Sequence, residues 1–402
     1  MKPDLVKPAR YVMIGGFLGA GKSTSILQLA RRLHARDLRV GLITNDQAAG
    51  LVDTTMMRSQ GFPVEEIAGG CFCCRFRSLM DAADRLSEST RPDVFVAEPV
   101  GSCTDLIASV SYPLRRIYGN EFTVAPLSVL VDPIRALRIL GLEEGRPFSD
   151  KVVYVYRKQL EEADVIVINK ADLLDRDRLG RLERALADEF PESRLFTVSA
   201  RRGEGLDEWF EWVERADGRS AQSMALDYVR YAEGEALLGW LNCSLALQSH
   251  PAADGDGVLE SLACRIQDRC NELGIELAHL KMTLSPFRDP HGAVAVLSLV
   301  RNDHVPELSQ SLDEGVEEGE LIINFRAEAA PDVLLETLKA SLNGCVAANR
   351  GLELRVEHVE HFSPPAPKPT YRMSGPNDLT ALMNESVGPG GPRERSQDQE
   401  AG

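Results

Sequence analysis

A phosphate-binding pattern stands near the start of this 402-residue chain, in the stretch GGFLGAGKST at residues 15–24. Gly16, Gly21, Lys22 and Ser23 complete the pattern G-x-x-x-x-G-K-[ST]. In such a loop, backbone N–H groups curl around the β-phosphate, the lysine reaches the β- and γ-oxygens, and the serine hydroxyl suits Mg²⁺. The apolar stretch before the loop predicts a buried strand, and the stretch after it predicts a helix whose N-terminus faces the anion. The pattern therefore predicts a site for a nucleoside triphosphate.

A second pattern, N-K-x-D, indicates which base that nucleotide carries. Asn169, Lys170 and Asp172 follow the apolar stretch DVIVIN, which predicts another buried strand. The Asp172 carboxylate can accept from the N1–H and the exocyclic amine of guanine, a pair of donors that adenine lacks. Ser199 and Ala200 follow a further strand, where a backbone contact to the base carbonyl is expected. The two patterns together favour GTP.

Glu98 and Gly101 form an E-x-x-G pattern at the end of the predicted strand DVFVAE. A carboxylate at that position lies across the sheet from the phosphate loop, where it can hold Mg²⁺ directly or through water. The backbone N–H of Gly101 could approach the γ-phosphate. We therefore predict Ser23 and Glu98 as the magnesium ligands.

Three cysteines, Cys71, Cys73 and Cys74, stand within four residues. Three thiols supply soft donors that favour Zn²⁺, Co²⁺ or Cu⁺, and three protein ligands leave a coordination position open for metal release. Buried free thiols or a redox pair are the competing interpretations. Further residues that could add a ligand are Glu65, Glu66 and Cys103.

Composition limits the classes of protein to consider. Apolar residues make up 44% of the chain and charged residues 26%, as in soluble globular proteins. The formal net charge of −16 argues against nucleic-acid or anionic-membrane partners, because both require a basic face. No apolar run approaches ~18 residues, so no membrane span is expected. The clustering of the cysteines suits metal ligation better than disulfides, and predicts a reducing cytoplasm.

Apolar runs alternate with helical stretches over most of the first half of the chain. This alternation predicts an α/β domain with a doubly wound, mostly parallel sheet over residues 1–218. Several of its strands are apolar without alternation, which is typical of strands covered on both faces. A polar stretch at 219–227 reads as a linker.

The second half predicts a smaller domain over residues 228–362. Its pattern β-α-β-β-β-α-β indicates an α+β, ferredoxin-like arrangement. His279 and Lys281 share one face of a predicted strand, where we expect solvated edge residues. Residues 363–402 are rich in Pro, Gly and polar residues, which predicts a disordered tail.

The order of the patterns GGFLGAGKST, GGCFCC, E-x-x-G and NKAD resembles the CobW-type metal-associated GTPases, relatives of the GTPases that insert nickel into urease and hydrogenase. The resemblance covers about residues 9–215. It implies GTP hydrolysis coupled to metal binding, with the three clustered cysteines as the metal ligands. It also implies nucleotide contacts by the remaining motif residues, namely Gly16, Gly19, Ala20, Gly21, Lys22, Ser23, Thr24, Glu98, Asn169, Lys170 and Asp172.

The switch segment of that family departs from the usual pattern here. Where relatives carry Asn-Glu-Phe-Gly, this chain has Asn45, Asp46, Gln47 and Ala48, with Asp53 closing the segment. Asp46 keeps a carboxylate that is one methylene shorter. Asp46 and Asp53 are candidates to orient water or Mg²⁺, beside Lys22 and Glu98 as catalytic residues.

These observations predict a cytoplasmic, GTP-hydrolysing metallochaperone that uses GTP, Mg²⁺ and Zn²⁺ or Co²⁺. Its expected partners are a client metalloprotein or cofactor-assembly enzyme and a second copy of the chain in a nucleotide-dependent homodimer. Two alternatives stay open: a small-molecule kinase or cofactor-biosynthesis enzyme, and a slow GTPase that senses metal or redox state.

Overall fold

The chain contains two β-sheets. The residues of the phosphate-binding and N-K-x-D patterns lie between the two domains that these sheets form. The structure is a computed structural model. Three of the predicted features lie partly or wholly outside its described residues: Asp46, residues 219–222 of the predicted linker and residues 379–402 of the predicted tail. The described residues are 8–45, 52–146, 148–218, 223–289, 292–375 and 378.

The first sheet is parallel and follows the order β3-β2-β4-β1-β6-β7-β8, with β5 also pairing with β1. Successive residues of β1 enter cores on opposite faces: Val12 and Ile14 on one, Tyr11 and Met13 on the other. A sheet covered on both faces explains the continuous apolar runs. The strands are β1 (Ala9–Gly16), β2 (Val40–Asn45), β3 (Val64–Ile67), β4 (Val94–Glu98), β5 (Phe122–Val124), β6 (Ser128–Val131), β7 (Val165–Ile168) and β8 (Arg194–Thr197).

The helices of this half cover both faces of the parallel sheet. A π-helical turn at Ile107–Ser111 runs directly into α4. The helices are α1 (Lys22–His34), α2 (Val52–Ser59), α3 (Phe76–Ser89), α4 (Tyr112–Ile117), α5 (Pro133–Ile139), α6 (Asp150–Glu162), α7 (Arg176–Glu189), α8 (Leu206–Arg215) and α9 (Tyr228–Leu237). Although α9 falls within the predicted second domain, it packs against α6 of the first.

The second sheet is antiparallel, in the order β12-β11-β10-β13-β9-β14. Helices α10 (Gly255–Leu273) and α11 (Pro331–Ala348) pack on one of its faces. The strands are β9 (Leu238–Ala253), β10 (Glu276–Pro286), β11 (Ala295–Leu299), β12 (Glu307–Gln310), β13 (Val316–Glu328) and β14 (Leu352–Phe362). Strands β14-β9-β13-β10 with the two helices form the ferredoxin-like plan. The predicted fold class, a doubly wound α/β domain followed by an α+β domain, is confirmed.

The other face of the second sheet lies against the first domain. Along β10, Leu280 and Met282 enter the core beneath the two helices, so alternation sends His279 and Lys281 to the opposite face. There both line a cavity shared with the phosphate loop. The prediction that they are solvated edge residues is wrong, because a second layer covers this face.

A buried arginine forms hydrogen bonds with both domains. The Arg135 guanidinium, on α5, donates to the carbonyl of Leu18 in the phosphate loop and to those of Ala278 and Val300 in the second sheet. Because these carbonyls have lost water, breaking the contact costs each a hydrogen bond. The second sheet is thereby fixed over the nucleotide patterns.

The first part of the predicted tail also packs on the first domain. The N–H of Met373 donates to the carbonyl of Ala108 at 2.9 Å, and the Met373 side chain is fully buried. Tyr371 meets Phe76 edge to face, with ring centroids 5.3 Å apart. The prediction of disorder is therefore wrong for residues 363–375. Their average composition is polar, but Tyr371 and Met373 pack against the first domain. None of the described helices is long and apolar enough to cross a membrane.

Candidate functional site

The phosphate loop runs from the end of β1 to the start of α1, and its backbone requires glycine. Gly16 and Gly21 have φ angles of 127° and 91°, in the region that favours glycine. A Cβ at Gly16 would lie 2.3 Å from the carbonyl oxygen of Leu130, and one at Gly21 would lie 2.3 Å from Nδ2 of Asn169. The loop can therefore pack against β6 and the end of β7 only with glycine at these positions.

Lys22 is buried at the start of α1 and curls back over the loop. Its Nζ donates to the carbonyl of Gly16 at 3.0 Å and lies 3.9 Å from Oε1 of Glu98. The ammonium thus lies inside the loop, where P-loop proteins bind the β- and γ-phosphate oxygens.

Oxygen donors gather beside Lys22, at the predicted magnesium position. Ser23 Oγ donates to Oε1 of Glu98 at 3.1 Å, and Oε2 of Glu98 is buried with no hydrogen-bond partner among the described residues. Lys281, from β10, donates to Ser23 Oγ at 3.0 Å and forms an ion pair with Asp53. Hydroxyl and carboxylate oxygens suit Mg²⁺, so the donor set fits that ion. The Lys281 ammonium lies beside the same oxygens.

Burial changes the acidity of the two carboxyls in this cluster. Burial, together with the Asp53 charge, raises the pKa of Glu98 to about 7. Burial also opposes ionisation of Asp53, but the Lys281 ammonium outweighs it and holds the pKa of Asp53 below its ordinary value. A cation beside the two carboxyls, whether ammonium or metal, therefore stabilises their charged forms.

The N-K-x-D residues line a second cavity next to the phosphate loop. Asn169 holds the loop by donating from Nδ2 to the carbonyl of Ala20 at 2.9 Å, and its Oδ1 accepts from the N–H of Ala200 at 3.0 Å. Lys170 donates to the carbonyl of Gly19 at 2.7 Å. Asp172 lines the same cavity. This arrangement can place a guanine base next to the phosphates.

The three clustered cysteines lie on the loop between β3 and α3. Sulfur–sulfur distances are 2.8 Å from Cys71 to Cys73, 3.3 Å from Cys71 to Cys74 and 3.7 Å from Cys73 to Cys74. Cys71 and Cys73 are buried and Cys74 is half-buried. Hydrogen bonding with Cys71 raises the pKa of Cys74 to about 11. The three thiols are close enough to bind one soft metal ion together.

Asn45 connects this loop to the nucleotide cavity. It ends β2, lines the cavity that holds the phosphate loop, and donates from Nδ2 to the carbonyls of Ile67 and Gly70 at 3.0 and 2.7 Å. Gly70 directly precedes Cys71. A displacement at the end of β2 would therefore move the cysteine loop.

The loop after β4 makes a second connection between the two sites. It begins at Glu98 and reaches Cys103, whose sulfur lies 3.9 Å from that of Cys73. Nε2 of Gln159, on α6, donates to the carbonyls of Gly101 and Cys103 at 2.9 Å each. A Cβ at Gly101 would lie 2.7 Å from Cδ2 of Leu18 in the phosphate loop. One short segment thus contacts the phosphate loop at one end and the cysteines at the other.

The ordered part of the tail, which we call the strap (residues 363–375), covers the cysteine loop. The backbone N–H of Lys368 donates to Sγ of Cys74 at 3.1 Å. Thr370 donates its N–H to the carbonyl of Cys73 at 2.8 Å and its hydroxyl to the carbonyl of Cys74 at 3.1 Å. An N–H donor on a sulfur stabilises the thiolate form that binds metal.

Comparison with known proteins agrees with this geometry. A family profile described as "CobW/HypB/UreG, nucleotide-binding domain" matches residues 10–196. Residues 10–196 of this chain are similar to the nucleotide-binding domain of the CobW/HypB/UreG family. The relatives of this CobW/HypB/UreG-type domain include the zinc chaperone CobW of Sinorhizobium sp, 30% identical over 221 residues. The zinc chaperone YeiR of Escherichia coli K12 is 29% identical over 178 residues.

These matches cover part of each protein. The CobW match spans 48% of this chain and 59% of the relative, and the YeiR match spans 44% and 50%. The chain thus spans about half the length of these relatives, 59% of one and 50% of the other. Among solved structures, zinc-bound YjiA GTPase of E. coli is 14% identical, with a TM-score of 0.34 over 85% of this chain and 99% of that one.

The structure brings most of the predicted residues of the CobW/HypB/UreG-type domain to one edge of the parallel sheet. The residues that line its two cavities include Gly19, Gly21, Lys22, Ser23, Thr24, Asp53, Glu98, Gly101, Asn169, Lys170, Asp172 and Ala200. Ser199 pairs with Glu204 beside them. Their roles in binding and catalysis stay predictions. Of the additional ligand candidates, Glu65 instead forms an ion pair with Arg85.

No sequence pattern predicts that the second sheet reaches the nucleotide site. Lys281 touches Ser23 and Asp53, and His304 and Glu307 border the cavity of the N-K-x-D residues. Alternation along β10 could have placed Lys281 opposite the core. It could not have revealed what that face packs against.

Replacing Lys281 by methionine is expected to raise the affinity of the nucleotide-free protein for Mn²⁺ about tenfold or more, because Asp53 and Glu98 lose a competing cation. Free Mn²⁺ measured by electron paramagnetic resonance reports the binding. Lys339→Met is the matched control, since Lys339 is exposed and pairs with Glu336 of its own helix. Unchanged or weaker Mn²⁺ binding in Lys281→Met would contradict this interpretation of the cluster.

Proposed function

We propose that this chain is a GTP-hydrolysing metallochaperone. It binds Zn²⁺ or Co²⁺ at Cys71, Cys73 and Cys74, and its nucleotide state sets the affinity for that ion. The observation that carries the proposal is the segment after β4, which reaches from Glu98 at the phosphate loop to within 3.9 Å of the Cys73 sulfur. The ion then passes to a client metalloprotein or cofactor-assembly enzyme.

The nucleotide half of the function follows from the cavity. Lys22 stabilises charge on the β- and γ-phosphates, and Asp172 accepts from the guanine edge. Ser23 and Glu98 hold Mg²⁺, with Asp53 beside them, and the bound ion neutralises the charge that develops on the phosphate oxygens. The buried, unpartnered Oε2 of Glu98 supports this assignment. Asp53 also lies where it can orient water.

Two connections can carry the nucleotide state to the metal site. Asn45 holds the carbonyl of Gly70, directly before Cys71, and the segment after β4 ends against Cys73. Contacts of the γ-phosphate with either segment would shift sulfur positions, and a shift of sulfur positions changes metal affinity. By linkage, metal binding changes nucleotide affinity by the same factor.

The donor chemistry and the relatives both favour zinc as the ion. Thiolates select soft or borderline ions over Mg²⁺, so the two metal sites need not compete. The names of the two relatives described above include the words zinc chaperone. Cobalt fits the same donors and serves as a spectroscopic probe.

The second domain is where we place client recognition. Its sheet touches both the phosphate loop and α2, since Val52 donates its N–H to Oδ1 of Asn324 at 3.1 Å. A change at Asp53 would therefore reach β13 directly. A nucleotide-dependent homodimer and a cytoplasmic location remain part of the proposal.

The two alternatives predict other products. A kinase needs room for an acceptor beside the γ-phosphate, where the structure has Lys281 paired with Asp53. A metal or redox sensor would bind zinc and hydrolyse GTP but transfer no ion. Zinc transfer to an apo-metalloprotein, measured with and without GTP, separates the sensor from the chaperone.

Base selection is tested by Asp172→Asn. The variant is expected to lose about 10- to 100-fold in kcat/KM for GTP, because a charge-assisted acceptor for two guanine donors is removed. It should gain activity with xanthosine triphosphate, whose base carries a carbonyl in place of the amine.

Asp177→Asn, an exposed change in the first turn of α7, is the matched control and should behave as wild type. Equal hydrolysis of ATP and GTP by the wild type, unaffected by Asp172→Asn, would overturn the guanine assignment.

A further inference from the structure

A fourth cysteine stands next to the three that the family motif supplies. Cys103 is buried, and its sulfur lies 3.9 Å from that of Cys73. It reaches the cluster from another part of the fold, five residues beyond the end of β4.

Two of the sulfur–sulfur distances match the edge of a tetrahedral zinc site, and those from Cys71, 2.8 Å to Cys73 and 3.3 Å to Cys74, are shorter. With Zn–S bonds of about 2.3 Å, the edges of a regular tetrahedron are about 3.8 Å. The observed distances from Cys73 are 3.7 Å to Cys74 and 3.9 Å to Cys103. Cys71, Cys73 and Cys74 form a group whose sulfurs all lie within 4.8 Å of one another. Cys103 lies outside that group and approaches it at Cys73.

Polar contacts from two helices fix the segment that carries Cys103. Gln159 holds the carbonyls on either side of Ser102. Ser102 donates to Oε1 of Glu235, on α9, at 2.7 Å, and Thr104 donates to Oε1 of Glu162, on α6, at 3.0 Å. All of these groups are buried. Hydrogen bonds of this kind commonly orient metal ligands. Here they hold the segment so that the thiol of Cys103 lies next to that of Cys73.

We propose that Cys103 is the fourth thiolate ligand of a Zn²⁺-class ion, and the ligand through which the nucleotide acts on that ion. This rests on the proposed function. Cys103 stands two residues after Gly101, which packs against the phosphate loop. A contact between Gly101 and the γ-phosphate would displace Cys103 relative to Cys73. Gain or loss of one sulfur then switches the site between four-sulfur and three-sulfur coordination.

The strap completes the enclosure of this site. It donates the N–H of Lys368 to Cys74, on the side of the cluster that is half-exposed. A closed four-sulfur shell is typical of tightly held zinc, and an open three-ligand shell is typical of zinc that exchanges. The displacement of one thiolate ligand would therefore be enough to change a site that holds zinc tightly into one that releases it.

The test counts sulfurs and measures affinity in the full-length chain. X-ray absorption of the zinc-loaded protein with Mg²⁺-GDP should give four sulfur neighbours in the wild type and three in Cys103→Ala and Cys103→Ser. Zinc affinity in that state should fall at least tenfold in both variants. In both variants, the ratio of the zinc affinity measured with Mg²⁺-GDP to that measured with a non-hydrolysable GTP analogue should approach one. Cys264→Ala, an exposed cysteine on α10, is the control and should match wild type.

Each outcome bears on a different claim. GDP affinity, unchanged in both variants, verifies that they fold. Four sulfurs and undiminished zinc affinity in Cys103→Ala would overturn this inference and leave the proposed function standing. A wild type that binds zinc through four sulfurs but with equal affinity in both nucleotide states would overturn the coupling. It would leave the ligand assignment intact.

Discussion

Lys22→Ala is expected to reduce the rate of GTP hydrolysis about 100- to 1000-fold, the loss typical of removing one preorganised group that stabilises charge in the transition state. The Lys22 ammonium is buried, and it lies within the phosphate loop, bonded to the carbonyl of Gly16. A water molecule in the space left by its side chain would be mobile and neutral. Single-turnover release of phosphate measures the effect without a contribution from product release.

Two controls accompany the Lys22 variant. Lys151→Ala removes an exposed lysine that pairs with Glu233, and it should hydrolyse GTP at the wild-type rate. Zinc binding by Lys22→Ala in the absence of nucleotide should also be unchanged, since none of the three clustered cysteines lines the cavity that Lys22 lines. Wild-type hydrolysis by Lys22→Ala would refute the assignment of this loop as the catalytic phosphate site.

Cys73→Ser is expected to weaken zinc binding about 100- to 1000-fold. Structural zinc sites are worth about 10–16 kcal/mol in all, so one of three or four ligands accounts for several kcal/mol. A serine hydroxyl at neutral pH supplies no anionic donor in exchange. Cys73 is the central member of the cluster, within 4 Å of the other three sulfurs. Competition with a chromophoric chelator measures the affinity.

GTP hydrolysis in the absence of zinc should survive the same change, because Cys73 lines neither nucleotide cavity. Cys264→Ser, which removes an exposed thiol on α10, corrects for the number of thiols in the chain. Zinc bound as tightly by Cys73→Ser as by the wild type would place the metal site elsewhere.

The nucleotide site could be predicted from sequence because each of its parts is a local pattern at the end of a strand. Lys22 and Ser23 follow β1, Glu98 ends β4, and Asn169 follows β7. Parallel strands bring those ends to one edge of the sheet. The structure places them as expected, with Ser23 and Glu98 in direct contact.

What the sequence could not predict depends on contacts between distant segments. Lys281 reaches Ser23 across 258 positions of the chain, and its strand pattern is the same whether its outer face meets water or another domain. Cys103 is one of three additional ligand candidates, and the sequence could not select it because its approach to Cys73 depends on where the segment after β4 lies in the fold. Tyr371 and Met373 anchor the strap, although the segment's average composition indicates disorder.

These contacts place the second domain beside the predicted nucleotide site. Lys281 contacts Ser23 and Asp53 at the predicted magnesium position, so we expect binding of Mg²⁺ and GTP to displace it. Because Lys281 lies on β10, that displacement acts on the second sheet, where we place client recognition. Nucleotide, metal and client would then respond to one rearrangement.

The most direct test of the account is the zinc affinity of the wild-type chain in two nucleotide states. Competitive chelator titration would be carried out with Mg²⁺-GDP and then with the Mg²⁺ complex of a non-hydrolysable GTP analogue. The account predicts at least a tenfold difference, about 1.4 kcal/mol of coupling, that disappears in Cys73→Ser. Equal zinc affinity in the two states would separate the cysteines from the nucleotide cycle and contradict the account.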